Sequence, residues 1–213
     1  MPQTARRGPG RPPAAKAAET RKRIIRAARE VFSERGYDAA TFQAIAVRAD
    51  LTRPAINHYF PNKRVLYREV VEQTNDLLVT AAIERAQRET TLPGRLSAFI
   101  SAAIQADAEN RSAAAFLVTS MLESQRHPDI SGGEHEALRA VRAFLAGAVN
   151  EAIERGELAI DADASSVAET LLAVLCGVGF YAGFLGERPQ VRAVSEGLRQ
   201  LLAGALSRAE PQG

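Results

Sequence analysis

Residues 41–63 read TFQAIAVRADLTRPAINHYFPNK, two short helices joined by a polar break. Thr41 stands as the N-cap of the first helix, whose apolar face is Phe42, Ile45, Ala46 and Ala49. Asp50 interrupts the pattern and Leu51 turns inward. Thr52 then caps a second helix that ends at Pro61. Pro54 falls in the first turn of that helix, where the missing N–H has no intrahelical partner to lose. The small residues Ala46, Ala49 and Ala55 let the two helices approach closely. A pair this compact is a helix-turn-helix, which lays its second helix in the DNA major groove.

Two short helices cannot bury a core between them, so a third must pack against them. Glu19–Arg35 supplies it, with Ile24, Ala28, Val31 and Phe32 at helical spacing and arginines opposite. Gly36 stops that helix, and Tyr37 is the apolar residue expected to fold back over it. Downstream, Asn62 caps a long helix that opens with Lys63 and Arg64. Cations there oppose the helix dipole at a cost of a few tenths of a kcal/mol. An external anion, phosphate above all, would explain them.

Charge is distributed unevenly. Residues 1–70 hold 15 Lys+Arg against 6 Asp+Glu, and the remainder holds 12 against 19, so the net +2 conceals a basic head on an acidic body. A basic head carrying a helix-turn-helix predicts a polyanionic partner and salt-sensitive binding. Arg outnumbers Lys 24 to 3, a mark of genome base composition rather than function. Cys176 is the single cysteine, which excludes an intramolecular disulfide and fits a reducing cytosol. The N-terminus lacks the apolar stretch of a signal peptide. Residues 170–186 contain no charge over 17 positions, but Gly177, Gly179, Gly183 and Gly186 interrupt them and Glu169 and Glu187 bracket them, the pattern of a core or interface helix.

These observations predict an all-α protein in three parts. Residues 1–18 are a disordered basic tail, 19–66 a three-helix helix-turn-helix domain, and 67–213 a larger helical domain. The tail contains Arg6, Arg7 and Arg11 within RRGPGRPP, and its Gly10-Arg11-Pro12 is similar to the AT-hook tripeptide that lays arginine into a narrow minor groove; a solubilising tail is the alternative. Beyond the motif, helices are expected at about Lys63–Thr90, Gly94–Ala108, Ser112–Arg126, Glu134–Arg155, Ala164–Gly186 and Gln190–Arg208, punctuated by proline and glycine. Stripes of small residues (Ala140, Ala143, Gly147 and Gly179, Gly183, Gly186) suit close helix packing and are expected at a two-fold dimer interface, with packing within the chain as the alternative.

Gly36–Val71 resembles the DNA-binding region of the TetR family of transcriptional regulators. The resemblance rests on Thr41-Phe42, Ile45-Ala46, Leu51-Thr52-Arg53-Pro54-Ala55-Ile56 and Tyr59-Phe60-Pro61-Asn62-Lys63. Asp50 stands where the family usually has glycine, which asks it for left-handed backbone. Asn57 stands where tyrosine is usual. The resemblance implies a second domain for ligand binding and dimerisation, a homodimer on a palindromic operator in double-stranded DNA, and a small-molecule effector that releases it, in the cytoplasm and with no cofactor. A ligand-independent architectural DNA binder is the alternative.

Chemistry assigns the roles. Arg53, Asn57 and His58 are candidates for base edges, arginine suiting guanine and asparagine adenine. Thr41, Gln43, Thr52, Tyr59 and Lys63 are candidates for phosphate contacts, which set register. Leu51, Ala55, Ile56 and Phe60 are expected in the core. The effector cavity that the resemblance implies could be lined by Phe99, Phe116, Met121, Asn150, Cys176, Phe180 and Tyr181, with ordinary core as the other reading of each. His127, Asp129, Glu134 and His135 match no metal-site spacing, and no nucleophile, paired base or phosphate loop is present to suggest an enzyme.

Overall fold

The computed structural model describes residues 13–110, 112–131, 135–158 and 163–206. All secondary structure among them is helical. The head comprises α1 (Pro13–Ala39), α2 (Phe42–Arg48) and α3 (Arg53–Tyr59). From it α4 (Lys63–Asn75) runs through a π-helical stretch, Asp76–Thr80, into α5 (Ala81–Ala86). The body adds α6 (Leu92–Glu109), α7 (Ala113–Arg126), the single turn α8 (Pro128–Ser131) and α9 (Glu136–Glu154). It closes with α10 (Ala164–Phe180), extended by a second π-helical stretch at Tyr181–Leu185, and α11 (Arg188–Leu206).

The expected caps form. Thr41, Thr52 and Asn62 accept from the amides of Ala44, Ala55 and Val65 at 3.1, 3.3 and 2.9 Å, each satisfying one orphan donor of a helix first turn. Thr91 does the same for α6 through Gly94 N at 3.2 Å. That helix starts earlier than expected because Pro93 occupies its first turn instead of ending the previous segment. Two other expectations change. Helix α1 begins at Pro13, inside the segment read as tail. The long helix from Lys63 is one rod in outline, but the Asp76–Thr80 stretch widens its winding midway.

Two apolar cores result. In the head, Ile24, Phe32, Ile45, Ile56, Phe60 and Leu66 are fully buried. Leu51 is half-buried against them. The expected boundary near residue 66 falls inside α4, whose Tyr67 and Val70 belong to the head core; Phe116 of α7 and Ile130 of α8 also join it. The body core gathers Leu92, Leu96, Phe99, Leu145, Val149 and Leu172. Each fully buried residue of this kind contributes about 1.5–3 kcal/mol of transfer free energy.

Glycine at residues 179 and 183 serves packing within the chain. A Cβ at Gly183 would lie 2.8 Å from the backbone of Ala115, and one at Gly179 would touch Val118 at 4.0 Å, so this stripe faces α7. Gly147 of α9 is exposed with nothing within 4 Å of its Cβ position. Ala164–Leu185 is long and apolar enough to cross a membrane by length and composition alone; here it packs on α7, α9 and α11.

These environments predict opposite outcomes for one chemical change. Gly183→Ala should lower the unfolding free energy by about 1–3 kcal/mol through overpacking on α7. Gly147→Ala should raise it by about 0.5–1 kcal/mol, because helix propensity alone is at stake. Urea denaturation of both variants checks the pair.

Candidate nucleic-acid interface and effector cavity

Helix α3 is short, and its placement depends on its two ends. At the entry, Leu51 N donates to Ala46 O at 2.9 Å and Asp50 N to Val47 O at 3.2 Å. This is a Schellman closure, with Asp50 at φ 51° in the left-handed position where glycine is usual. At the exit, Phe60 N donates to Ile56 O at 2.9 Å, and the Phe60 ring is buried beneath the Arg21 guanidinium, 4.5 Å from its centroid. Arg21 also donates to Tyr59 O at 3.5 Å and pairs with Glu69 at 3.0 Å, joining α1, α3 and α4.

With Ile56 pinned inward, Arg53 and Asn57 emerge one turn apart and exposed, and His58 beside them is exposed with its ring edge-on to Tyr59, centroids 5.3 Å apart. Of the phosphate candidates, Thr41, Gln43 and Thr52 are exposed and Tyr59 is half-buried. The two threonine oxygens accept their cap bonds, leaving each hydroxyl proton for an outside acceptor. Arg48, by contrast, is committed inside the head. Its guanidinium meets Glu34 at 2.7 and 2.8 Å and Glu30 at 3.0 Å, stapling α2 to α1. Arg6, Arg7 and Arg11 lie outside the described residues.

Lys63 departs from its expected role. Its Nζ donates to Tyr37 O at 2.7 Å, Asp38 O at 3.1 Å and Ala40 O at 3.1 Å, and lies 4.4 Å from the Tyr37 ring centroid. An ammonium has three N–H donors, and here all three are taken by carbonyls at the C-terminal end of α1, where the helix dipole favours a cation. The charge is therefore satisfied by backbone carbonyl dipoles inside the head rather than by an external anion. Spacing alone held no signal for this, because the carbonyls converge only once α1 has bent at Gly36.

That bend also receives the body. Gly36 has φ 73° and ψ 174°, a region essentially confined to glycine. A Cβ there would meet Glu123 Oε1 at 2.9 Å. Glu123, buried on α7, accepts weakly from Tyr37 N at 3.5 Å. Next to it, His127 Nε2 lies 3.2 Å from Asp38 Oδ2 and 3.5 Å from Glu123 Oε2. Phe116 completes the junction, 6.3 Å from Phe32 and 5.8 Å from Tyr67 between centroids. Burial, with the Glu123 charge nearby, pushes the Tyr67 phenol up from its usual range. None of the Glu123 contacts was expected from sequence; a lone carboxylate in an apolar helical run was the available hint.

On the other side of α7 a cavity of about 330 Å³ opens among α6, α7, α9, α10 and the first π-helical stretch. Phe99, Met121, Cys176 and Phe180 line it as expected, with Leu117 and Leu172. Three candidates fall elsewhere. Phe116 is fully buried in the head core; Asn150 points from the exposed face of α9; Tyr181 packs against Gly186. Helical phase separates Phe116 from Leu117, neighbours in sequence that face opposite cores. Asp107 is the charged residue of the lining, and its Oδ1 accepts from Ala114 N at 2.8 Å. Burial pushes the Cys176 thiol up, so it stays protonated.

The geometry predicts that Lys63→Ala weakens operator binding by loosening the head. Its melting temperature should fall, for a loss of about 2 kcal/mol, while the slope of log affinity against log salt stays unchanged. A phosphate contact would lower that slope by about one and leave the melting point in place.

Known proteins fall in line with this architecture. Residues 24–70 match the family model described as bacterial regulatory proteins of the tetR family. Residues 93–209, over half the chain, match that of the C-terminal part of BetI-type transcriptional repressors. The transcriptional regulator UidR of Escherichia coli strain K12 is 24% identical over 192 residues, covering 90% of this chain and 95% of UidR. The transcriptional repressor BepR of Brucella suis is 30% identical over 178 residues, covering 81% of this chain and 82% of BepR. A crystal structure of Bacillus subtilis FadR in complex with stearoyl-CoA shares the fold, with TM-score 0.65 at 21% identity over 85% of this chain and 96% of that one. From the capped α2–α3 pair, the basic head and these matches, the chain belongs to the TetR family of DNA-binding transcriptional regulators.

Proposed function

We propose that the chain is a homodimeric repressor that holds a palindromic operator through its two α3 helices and releases it when an apolar molecule fills the body cavity. The observation that carries this reading is the double use of α7. Its Leu117 and Met121 line the cavity, while its Phe116 and Glu123 hold the head at Tyr67 and Tyr37. A ligand that shifts α7 must therefore strain the seat of the head. By linkage, a ligand that prefers the shifted form lowers operator affinity by that same preference. That the FadR structure is a complex with stearoyl-CoA supports a small-molecule effector as a reading for this fold. At about 330 Å³, the cavity lies at the small end of the range for ligand sites.

Each head presents too few side chains to select a site alone, and a two-fold axis doubles them. The surface that supports such an axis is the outer face of α10 and α11. Phe180 and Phe184 are each 47% exposed with centroids 5.4 Å apart, beside exposed Leu185 and Leu201. A cluster of large exposed apolar side chains marks an association surface. Phe180 also lines the cavity, so the second copy would cover one of its walls. Arg53 and Asn57 read guanine and adenine, and Thr41, Gln43 and Thr52 contact phosphates. The bacterial cytoplasm is the compartment this activity needs.

Fluorescence anisotropy with DNA from upstream of the protein's own gene tests the reading. Arg53→Ala should remove about 1–3 kcal/mol of discrimination at one guanine per half-site, and Asn57→Ala the same at an adenine. If both variants keep the full base preference of the parent, α3 is not the reader.

Light scattering should find a dimer that Phe184→Glu converts to a monomer with lost operator binding. Titration with n-alkanols of increasing length should release the operator from the parent and not from Leu172→Trp, which fills the cavity. Equal release from both would exclude the cavity as the effector site.

A further inference from the structure

A second crevice, of about 460 Å³, lies between α4, the first π-helical stretch, α7 and the start of α9. Its character is the reverse of the apolar cavity. Asn75 and His135 line it, 7% and 3% exposed, and among the described residues nothing reaches Asn75 Nδ2, Asn75 Oδ1 or His135 Nδ1. Buried polar atoms left without partners are costly and rare in folded proteins. Three of them beside one crevice are the signature of a missing partner.

The hydrogen-bond pattern says what they lack. Ser120 Oγ donates to Leu117 O at 2.8 Å, which uses its proton. The 2.9 Å contact between Ser120 Oγ and His135 Nε2 must then have the imidazole as donor. His135 Nδ1 is left as a bare acceptor, and burial, which holds the ring's pKa down to about 4, keeps it neutral. Asn75 Oδ1 is a second acceptor. Around them stand Glu72, Asp76 and Glu136 at exposed positions and Glu123 buried, against Arg68 and the half-buried His127. Arg68 turns its Nε to Ile130 O at 3.2 Å, and His127 is held between Asp38 and Glu123. The electrostatic balance is anionic, and two of the three orphaned atoms, Asn75 Oδ1 and His135 Nδ1, are acceptors without a donor.

We infer that this crevice is a second ligand site, for a small protonated amine whose N–H groups reach Asn75 and His135 and whose charge is held by the surrounding carboxylates. An anion would meet four carboxylates, and an apolar molecule would leave both orphaned acceptors, Asn75 Oδ1 and His135 Nδ1, unpaired. The site shares Glu123 and His127 with the seat of the head, and it is separate from the alkyl-lined cavity across α7.

Isothermal titration of the full-length protein without DNA tests this independently of any operator reading. Putrescine and agmatine serve as probes, with 1,4-butanediol as the uncharged control and tetramethylammonium as the cation without N–H. Both amines should bind and both controls should not. Asn75→Leu should weaken amine binding by about tenfold or more while raising the melting temperature, since it removes two unpaired buried atoms. Leu172→Trp should leave amine binding unchanged. Silence from both amines, equal binding of tetramethylammonium or the diol, or unaltered binding to a folded Asn75→Leu variant would each overturn the assignment.

Discussion

Gly36 turns α1 sharply enough that three backbone carbonyls, of Tyr37, Asp38 and Ala40, converge on Lys63 Nζ while the amide of Tyr37 faces Glu123. The rest of the molecule is organised around this bend. On one side it fixes where α4 starts and hence where α3 ends; on the other it is the seat of α7. Charge-assisted hydrogen bonds to carbonyls are directional and stronger than neutral ones. The bend therefore holds the head in one orientation rather than merely attaching it. A side chain at residue 36 would collide with Glu123 and force a backbone angle that only glycine adopts readily.

From that seat, α7 carries two functions on two faces. The face toward α1 and α4 bears Phe116 and Glu123, and the face toward α6 and α10 bears Leu117 and Met121. Close packing transmits displacement because a filled interior has few voids to absorb it. Gly183 brings α10 into backbone contact with α7 at Ala115, so motion of α7 is communicated to the apolar outer face of α10 and α11 as well. The cavity, the seat of the head and the contact with α10 thus share one helix. Under the proposed function, a ligand in the cavity would act on the head through α7.

Much of the head was legible in advance because its determinants are local. Thr41, Thr52 and Asn62 cap helices through bonds spanning three residues, and Asp50 takes the left-handed turn within its own Schellman closure. Ile56 and Phe60 are buried because an amphipathic period has one inward face. The partners of Lys63 were hidden for the same reason in reverse. Its position at a helix N-terminus is a local fact that points to an anion, whereas its partners arrive from residues 37–40 across a bend. The cavity divided likewise. Phe99, Met121, Cys176 and Phe180 fell where an apolar reading expected them, but no periodicity says which of two cores Phe116 joins, or that Asn150 faces outward.

The chain by itself determined the all-helical class, the capped pair around Asp50, the basic head and the outward turn of Arg53 and Asn57, since each follows from contacts within a few residues or from composition. Tertiary structure alone decided the partners of Lys63, the docking of Glu123 on the Gly36 bend, the facing of Gly179 and Gly183 toward α7, and the meeting of Asn75 with His135 beside one crevice. Those pairings join residues tens of positions apart, and hydrophobic spacing records that a face is buried without recording what buries it.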